Sequence, residues 1–170
     1  MRDVIVNTNN SLITDTYTHV VARIFSNISI ENENISGGKF EDVVFKNVNF
    51  SNCTIQASAF IKTKFIGCTF TDCNFSFTKF KSCILVECVL ENCNFCITNS
   101  LNSSFQACAF QDNNWKLGAF RDNRLTDCLT DENTATHISK NGENTKTLSL
   151  INSDINNESP VIEEHFAMAA

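Results

Sequence analysis

The sequence predicts an all-β solenoid built from five-residue units, each a short strand followed by a corner. Three observations predict it. Phe recurs from Phe25 to Phe120 so that 13 of the 15 fall in one residue class modulo five, where an unpatterned chain would place about three. A column of small residues runs two positions ahead of the large one, and the remaining positions are mostly Asn, Lys, Asp, Ser, Gln and Thr. Neither the 3.6-residue period of a helix nor the two-residue period of a lone strand produces this pattern.

The large column is nearly unbroken. From Phe40 to Leu125, its eighteen positions hold twelve Phe together with Ile55, Leu85, Leu90, Trp115, Leu125 and the one misfit, Ser100. The small column includes Cys53, Ser58, Thr63, Cys68, Cys73, Thr78, Cys83 and Ser103. Residues two apart in extended backbone point to the same side, so both columns face a shared interior. The polar residues suit the outside.

The elements follow in order. Residues 1–35 form an N-terminal cap segment, with strand-like content at Val4, Ile5 and Val6 and again at Val20, Val21, Ile24, Phe25, Ile28 and Ile30. Arg23 and Glu33 occupy inward slots, so a regular coil is expected to begin near Gly37-Gly38. Residues 36–130 form the solenoid proper. Residues 131–170 comprise a polar linker, over 131–147, and a short C-terminal helix. Ser159-Pro160 supplies that helix with a cap and a first-turn proline, and Val161, Ile162, His165, Phe166 and Ala169 form one face.

Runs such as Cys73-Asn74-Phe75, Asn74-Phe75-Ser76 and Lys64-Phe65-Ile66 resemble the pentapeptide-repeat proteins. The resemblance covers about Phe40 to Cys128 without an insertion. It implies a right-handed quadrilateral β-helix with four pentapeptides per coil, hence a twenty-residue stacking period. It specifies function poorly, because one solenoid serves many roles.

Nine Cys would suit a secreted disulfide scaffold, but their positions argue otherwise. Cys53, Cys68, Cys73, Cys83, Cys88, Cys93, Cys108 and Cys128 all sit in the small inward column, where a free thiol behaves as a small buried hydrophobe. Parallel side chains at a coil spacing of ~4.8 Å stand farther apart than a disulfide prefers. Reduced thiols imply a reducing compartment. In the one Cys-x-x-Cys, Cys93 should face inward and Cys96 outward. The pair therefore cannot share a metal, and His19, His137 and His165 lie outside the repeat.

Charge divides the outside. The chain carries 13 Lys and Arg against 19 Asp and Glu, net -6, which disfavours direct binding of nucleic acid. No apolar run approaches the ~20 residues of a membrane span. The face carrying Phe50, Phe70, Leu90 and Phe110 gathers Asp72, Glu91, Asp112, Asp131 and Glu132, while the opposite face holds Lys39, Lys62, Lys79, Lys81 and Arg121 against Glu41, Asp42 and Asp122. A third feature is an outward corner column of Ala57, Phe77, Ile97 and Leu117, whose size suggests a contact, either with the chain's own N-terminal segment or terminal helix or with a second copy or partner.

No catalytic constellation, cofactor fingerprint or metal set is legible, so the expectation is a non-enzymatic protein-binding solenoid. The resemblance implies one role: some family members, including quinolone-resistance and immunity proteins, mimic duplex DNA in the groove of DNA gyrase. The acidic strip Asp72, Glu91, Asp112, Asp131 and Glu132 would face such a groove, with a homodimer through the C-terminal segment extending the rod. The alternative is a scaffold module or secreted bacterial effector that grips a host or cellular protein through Phe77, Ile97 and Leu117. Localisation is then cytoplasmic, or, for the effector, inside a host cell after export without a cleaved signal, the first twenty residues serving as an unstructured export signal.

Overall fold

A computed structural model gives the fold, and it describes residues 4–6, 16–143 and 148–151. Every strand pairs in parallel with residues twenty positions away: Phe40 with Phe60, Phe45 with Phe65, Phe50 with Phe70. Four pentapeptides thus complete one turn of a quadrilateral β-helix. Two long strands, Ile24–Glu31 and Val44–Ser51, run round a corner and join the Phe45 and Phe50 faces into a 12-stranded sheet. The Phe40 face forms a six-stranded sheet. The Phe75 face carries only single bridges, such as Asn74 to Asn94.

The twenty-residue register places like on like. Phe25, Phe45 and Phe65 stack with centroids 5.3 and 5.1 Å apart, and Phe75, Phe95 and Trp115 with 5.0 and 4.4 Å. Within a coil the rings meet edge to face, as Phe45 and Phe50 do at 72°. Both arrangements satisfy the ring quadrupoles. The large column is buried from Phe25 to Leu125, Ser100 included.

The small column does more than fill space. Many of its hydroxyl, thiol and amide side chains donate to the carbonyl oxygen of the large residue twenty-three positions earlier. Ser58 Oγ reaches Ile35 O at 3.0 Å, Thr63 Oγ1 reaches Phe40 O at 3.1 Å, Cys68 Sγ reaches Phe45 O at 3.4 Å, and Asn113 Nδ2 reaches Leu90 O at 2.8 Å. Small size is required throughout, since Val43 and Val48 fill their slots without a donor, and the added hydrogen bond accounts for the preference for Ser, Thr, Cys and Asn in the later coils.

Each corner turns on a residue with positive φ, two positions after the large one. Twenty-one non-glycine residues from Tyr17 to Asp127, together with Gly37 and Gly67, adopt it. Thirteen of these 23 are Asn, Asp or Gly, the types that tolerate left-handed backbone.

The coil begins earlier than the sequence predicts. His19–Val21 pairs with Lys39–Glu41, and Val4–Val6 pairs with Ile24–Ser26. Arg23 and Glu33 do not interrupt it. Their carbonyls accept from Val44 N and Thr54 N in the ladder, and their side chains are half-buried. Within the first twenty residues, expected to be unstructured, the described stretch Val4–Val6 and the strand that starts at His19 are paired. From His19 to Thr130 the register spans about 5.6 coils, or ~27 Å at ~4.8 Å per coil.

At the other end, the stretch read as a polar linker folds into helix α1 (Glu132–Lys140). Asp131 is its N-cap, accepting from Thr134 N at 2.6 Å. The helix lies across the open end of the tower with Thr134 and Ile138 buried. It keeps the twenty-residue period: Asn123 N donates to Glu143 Oε1, and Leu148–Leu150 then pairs with Cys128–Thr130. Helix and strand together cover a sheet edge that would otherwise stay open. The helix expected from Ser159-Pro160 lies outside the described residues.

Candidate protein-binding surfaces

Asp72 and Asp112 occupy the same corner column two coils apart, both with left-handed backbone. The column reads Asn32, Asn52, Asp72, Asn92 and Asp112, and its side chains bridge neighbouring coils. Asn52 Nδ2 donates to Asn32 Oδ1 at 2.7 Å, and Asn92 Nδ2 donates to Asp72 Oδ1. Glu91 stands beside this column on the strand Val89–Glu91, between Thr71 and Gln111. Asp131 lies above Asp112 and accepts from its backbone N–H at 2.6 Å while capping α1. Glu132 is exposed in the first helical turn.

Register therefore places Asp72, Glu91, Asp112 and Asp131 along one edge of the Phe50 face, and Glu132 follows Asp131 as the first residue of α1. Two of them also serve the fold: Asp72 ties two coils, and Asp131 anchors the helix. Between residues 68–73, 88–93 and 108–113 there is no Lys or Arg. On the opposite face Lys39 Nζ meets Glu41 Oε2 at 2.9 Å, and that ammonium holds the Glu41 carboxyl below its usual range. The pair lies in solvent and adds little to stability.

The second predicted surface is the corner between the Phe75 and Phe40 faces. Its column reads Tyr17, Gly37, Ala57, Phe77, Ile97 and Leu117. Tyr17 is 84% exposed, Phe77 55% and Leu117 75%, while Ile97 is half-buried. A Cβ on Gly37 would lie 2.6 Å from the Tyr17 ring, so the aromatic rests on bare glycine backbone. The sequence pattern located this column. It did not reveal that every member sits at positive φ, a cost that bulky and branched side chains do not usually bear.

All nine cysteines are free thiols; eight are buried and Cys96 is half-buried. Burial pushes the Cys83 thiol up to about 11, the direction of an unreactive structural cysteine. Among the described residues, no group of three His, Cys, Asp or Glu is arranged to hold a metal ion. None of the described helices is long and apolar enough to cross a membrane.

The family model for pentapeptide repeats matches residues 73–112, in 8 copies. Among solved structures, HetL, a pentapeptide repeat protein involved in heterocyst differentiation regulation from the cyanobacterium Nostoc sp. strain PCC 7120, is 10% identical with a TM-score of 0.40. The alignment covers 68% of this chain and 62% of HetL, so the chain spans less than two thirds of that protein's length. A trypsin-treated variant of QnrB1, a plasmid-mediated fluoroquinolone resistance protein, is 14% identical with a TM-score of 0.35, over 88% of this chain and 90% of QnrB1. Rfr23, a pentapeptide repeat protein from the cyanobacterium Cyanothece 51142, is 8% identical with a TM-score of 0.36, over 69% and 87% of the two chains. No curated protein matches the sequence.

Proposed function

This chain is built of pentapeptide repeats, and from that premise we propose that it acts by binding a protein, offering its acidic edge where the partner otherwise holds DNA. The interior is filled by stacked rings, so recognition falls to the outer faces. One observation carries the reading: Asp72, Glu91, Asp112, Asp131 and Glu132 follow one another along an edge whose neighbouring positions hold no Lys or Arg.

The charge density is of the right order. These five carboxylates span three coil steps, ~14 Å at ~4.8 Å per coil. Duplex DNA carries one charge per ~1.7 Å of axis, or about eight over that length. A basic groove that accepts a duplex would meet somewhat more than half the line charge it normally neutralises. DNA gyrase is the enzyme the family resemblance favours, and the same electrostatics would serve against another DNA-binding enzyme.

A supercoiling assay tests this reading. Micromolar protein should inhibit gyrase, and Asp72→Lys with Glu91→Lys should relieve that inhibition with the far-UV spectrum unchanged. No inhibition, or inhibition indifferent to the charge reversal, would remove the proposal.

The exposure of Phe77 and Leu117 favours a second reading, a scaffold module or secreted effector that grips a host or cellular protein by its apolar corner. In that case Phe77→Ser with Leu117→Ser abolishes partner binding and the charge reversal leaves it intact. The opposite pattern rejects this reading.

A further inference from the structure

Of the 23 left-handed corner positions, four hold bulky apolar side chains, Tyr17, Phe77, Ile97 and Leu117, and all four fall in one column. Asn, Asp or Gly at these corners would remove both the backbone cost and the exposed apolar surface. Ile97 is the sharpest case, a β-branched residue at φ 56. An exposed ridge kept at such a cost needs a contact to offset it.

The surroundings of the ridge have one sign of charge. In the three coils that carry Phe77, Ile97 and Leu117, residues 73–81, 93–101 and 113–121 include Lys79, Lys81, Lys116 and Arg121 and no carboxylate. The occupant should therefore be apolar and acidic. Residues 152–170, which follow the last described residue, meet that description: Asp154, Glu158, Glu163 and Glu164 with no Lys or Arg, and the apolar Val161, Ile162 and Phe166.

Length and position agree. Ile151 N donates to Thr130 O at 2.8 Å, which places the chain at the corner where the Phe75 face begins. The ridge lies along the far edge of that same face. Ten residues from Ile151 to Val161 reach up to ~33 Å, far more than one five-residue face requires. As the helix its sequence predicts, the span from Val161 to Phe166 rises ~8 Å, close to the ~10 Å covered by the two coil steps from Phe77 to Leu117.

We propose that residues 159–169 dock in cis on the Phe77–Ile97–Leu117 ridge, with Val161, Ile162 and Phe166 on its apolar crest and Glu163 and Glu164 toward Lys116, Lys79 and Lys81. The segment is an internal cover for the apolar corner.

The test uses the full chain. Equal amounts of 14N- and 15N-labelled protein are mixed, treated with a zero-length carbodiimide, digested and analysed by mass spectrometry. Links from Glu163 or Glu164 to Lys116, Lys79 or Lys81 should join peptides of the same isotope. Their yield should fall about tenfold in Phe77→Ser with Leu117→Ser, whose thermal midpoint should match that of the parent. Mixed-isotope links would overturn the proposal in favour of a second copy. So would links spread evenly over all lysines, no links to these three, or a yield that the double variant leaves unchanged.

Discussion

The ring of His137 lies face to face with that of Trp115, centroids 5.4 Å apart and planes 14° from parallel. Trp115 ends the column of Phe75 and Phe95, so an imidazole from α1 continues the aromatic stack where the repeats stop. Trp115 Nε1 also donates to Thr134 Oγ1 at 3.0 Å. These two contacts fix the helix across the end of the tower.

The stack makes the cap sensitive to acid. Burial and, after it, the charge of Lys140 hold His137 below its ordinary value of 6.5. Between that value and the lower folded one, the unfolded chain binds more protons than the folded chain. Stability is therefore lost as pH falls through this window. The thermal midpoint should drop from pH 7.5 to pH 5, and His137→Phe should flatten that dependence. An equal drop in the variant would assign the effect to other groups.

The buried thiols should be inert and replaceable. Cys96, half-buried, should be the one cysteine alkylated in the native protein, the other eight reacting only on unfolding. Cys88 Sγ donates to Phe65 O at 3.5 Å, as Thr63 Oγ1 does to Phe40 O in the equivalent slot. Cys88→Ser should thus cost under ~1 kcal/mol, whereas Cys88→Ala, which leaves a carbonyl without its donor, should cost about 1–2 kcal/mol. Urea midpoints decide the order.

How much of this was legible follows from which interactions repeat. The large and small columns are enforced in every coil, so one period exposes the fold, the inward thiols and the acidic and apolar edges. The donor role of many of these residues hid behind size, because Ser, Thr and Cys are also small. Helix α1 hid because only Thr134 and Ile138 are buried beneath an otherwise polar surface. Its signal is Asp131, an N-cap residue type three positions before Thr134, which composition alone does not register. Arg23 and Glu33 stand in inward slots that suit small or apolar side chains, yet both keep their backbone in the ladder. The charged edge is legible from register alone; that Asp72 and Asp131 also hold coils and helix together follows only from their hydrogen bonds.

Gly67 combines two constraints. Its φ is +59, and an added Cβ would lie 2.7 Å from Asn47 Oδ1. The alanine must bear left-handed backbone and displace the asparagine one coil below. Gly67→Ala should cost about 1–2 kcal/mol. Gly142 has a similar φ, but a Cβ there meets nothing, so Gly142→Ala should cost less. Equal losses in denaturant melts would mean that the contact with Asn47 is immaterial.

Ser100 interrupts the large column between Phe80 and Phe120, its partners in register. A cavity of about 20 Å³ lies here, lined by Phe80, Leu85, Phe105 and Phe120 among others. The hydroxyl donates to Asn123 Oδ1 at 3.2 Å, but Asn123 also accepts from Ser103 N at 2.9 Å and so keeps a partner without it. Ser100→Leu should fill the void and raise stability by about 1 kcal/mol. A lower thermal midpoint would show that the site cannot take the extra volume.

Thr130 occupies the large column directly after Leu125, fully buried, and its Oγ1 has no hydrogen-bond partner. Its backbone is well used: the carbonyl accepts from Ile151 N at 2.8 Å, and Leu150 pairs with it in register. The hydroxyl alone is out of place, desolvated among apolar neighbours with nothing to receive its proton. Such a group costs about 1–3 kcal/mol in mutational series. Valine has the same shape and keeps every backbone bond, so Thr130→Val should stabilise the protein by about 1–2 kcal/mol and raise the thermal midpoint by several degrees. Thr134 is the control. It is equally buried, but its Oγ1 accepts from Trp115 Nε1, and Thr134→Val should destabilise. If both substitutions shift the midpoint the same way, hydrogen-bond satisfaction does not govern this end of the tower.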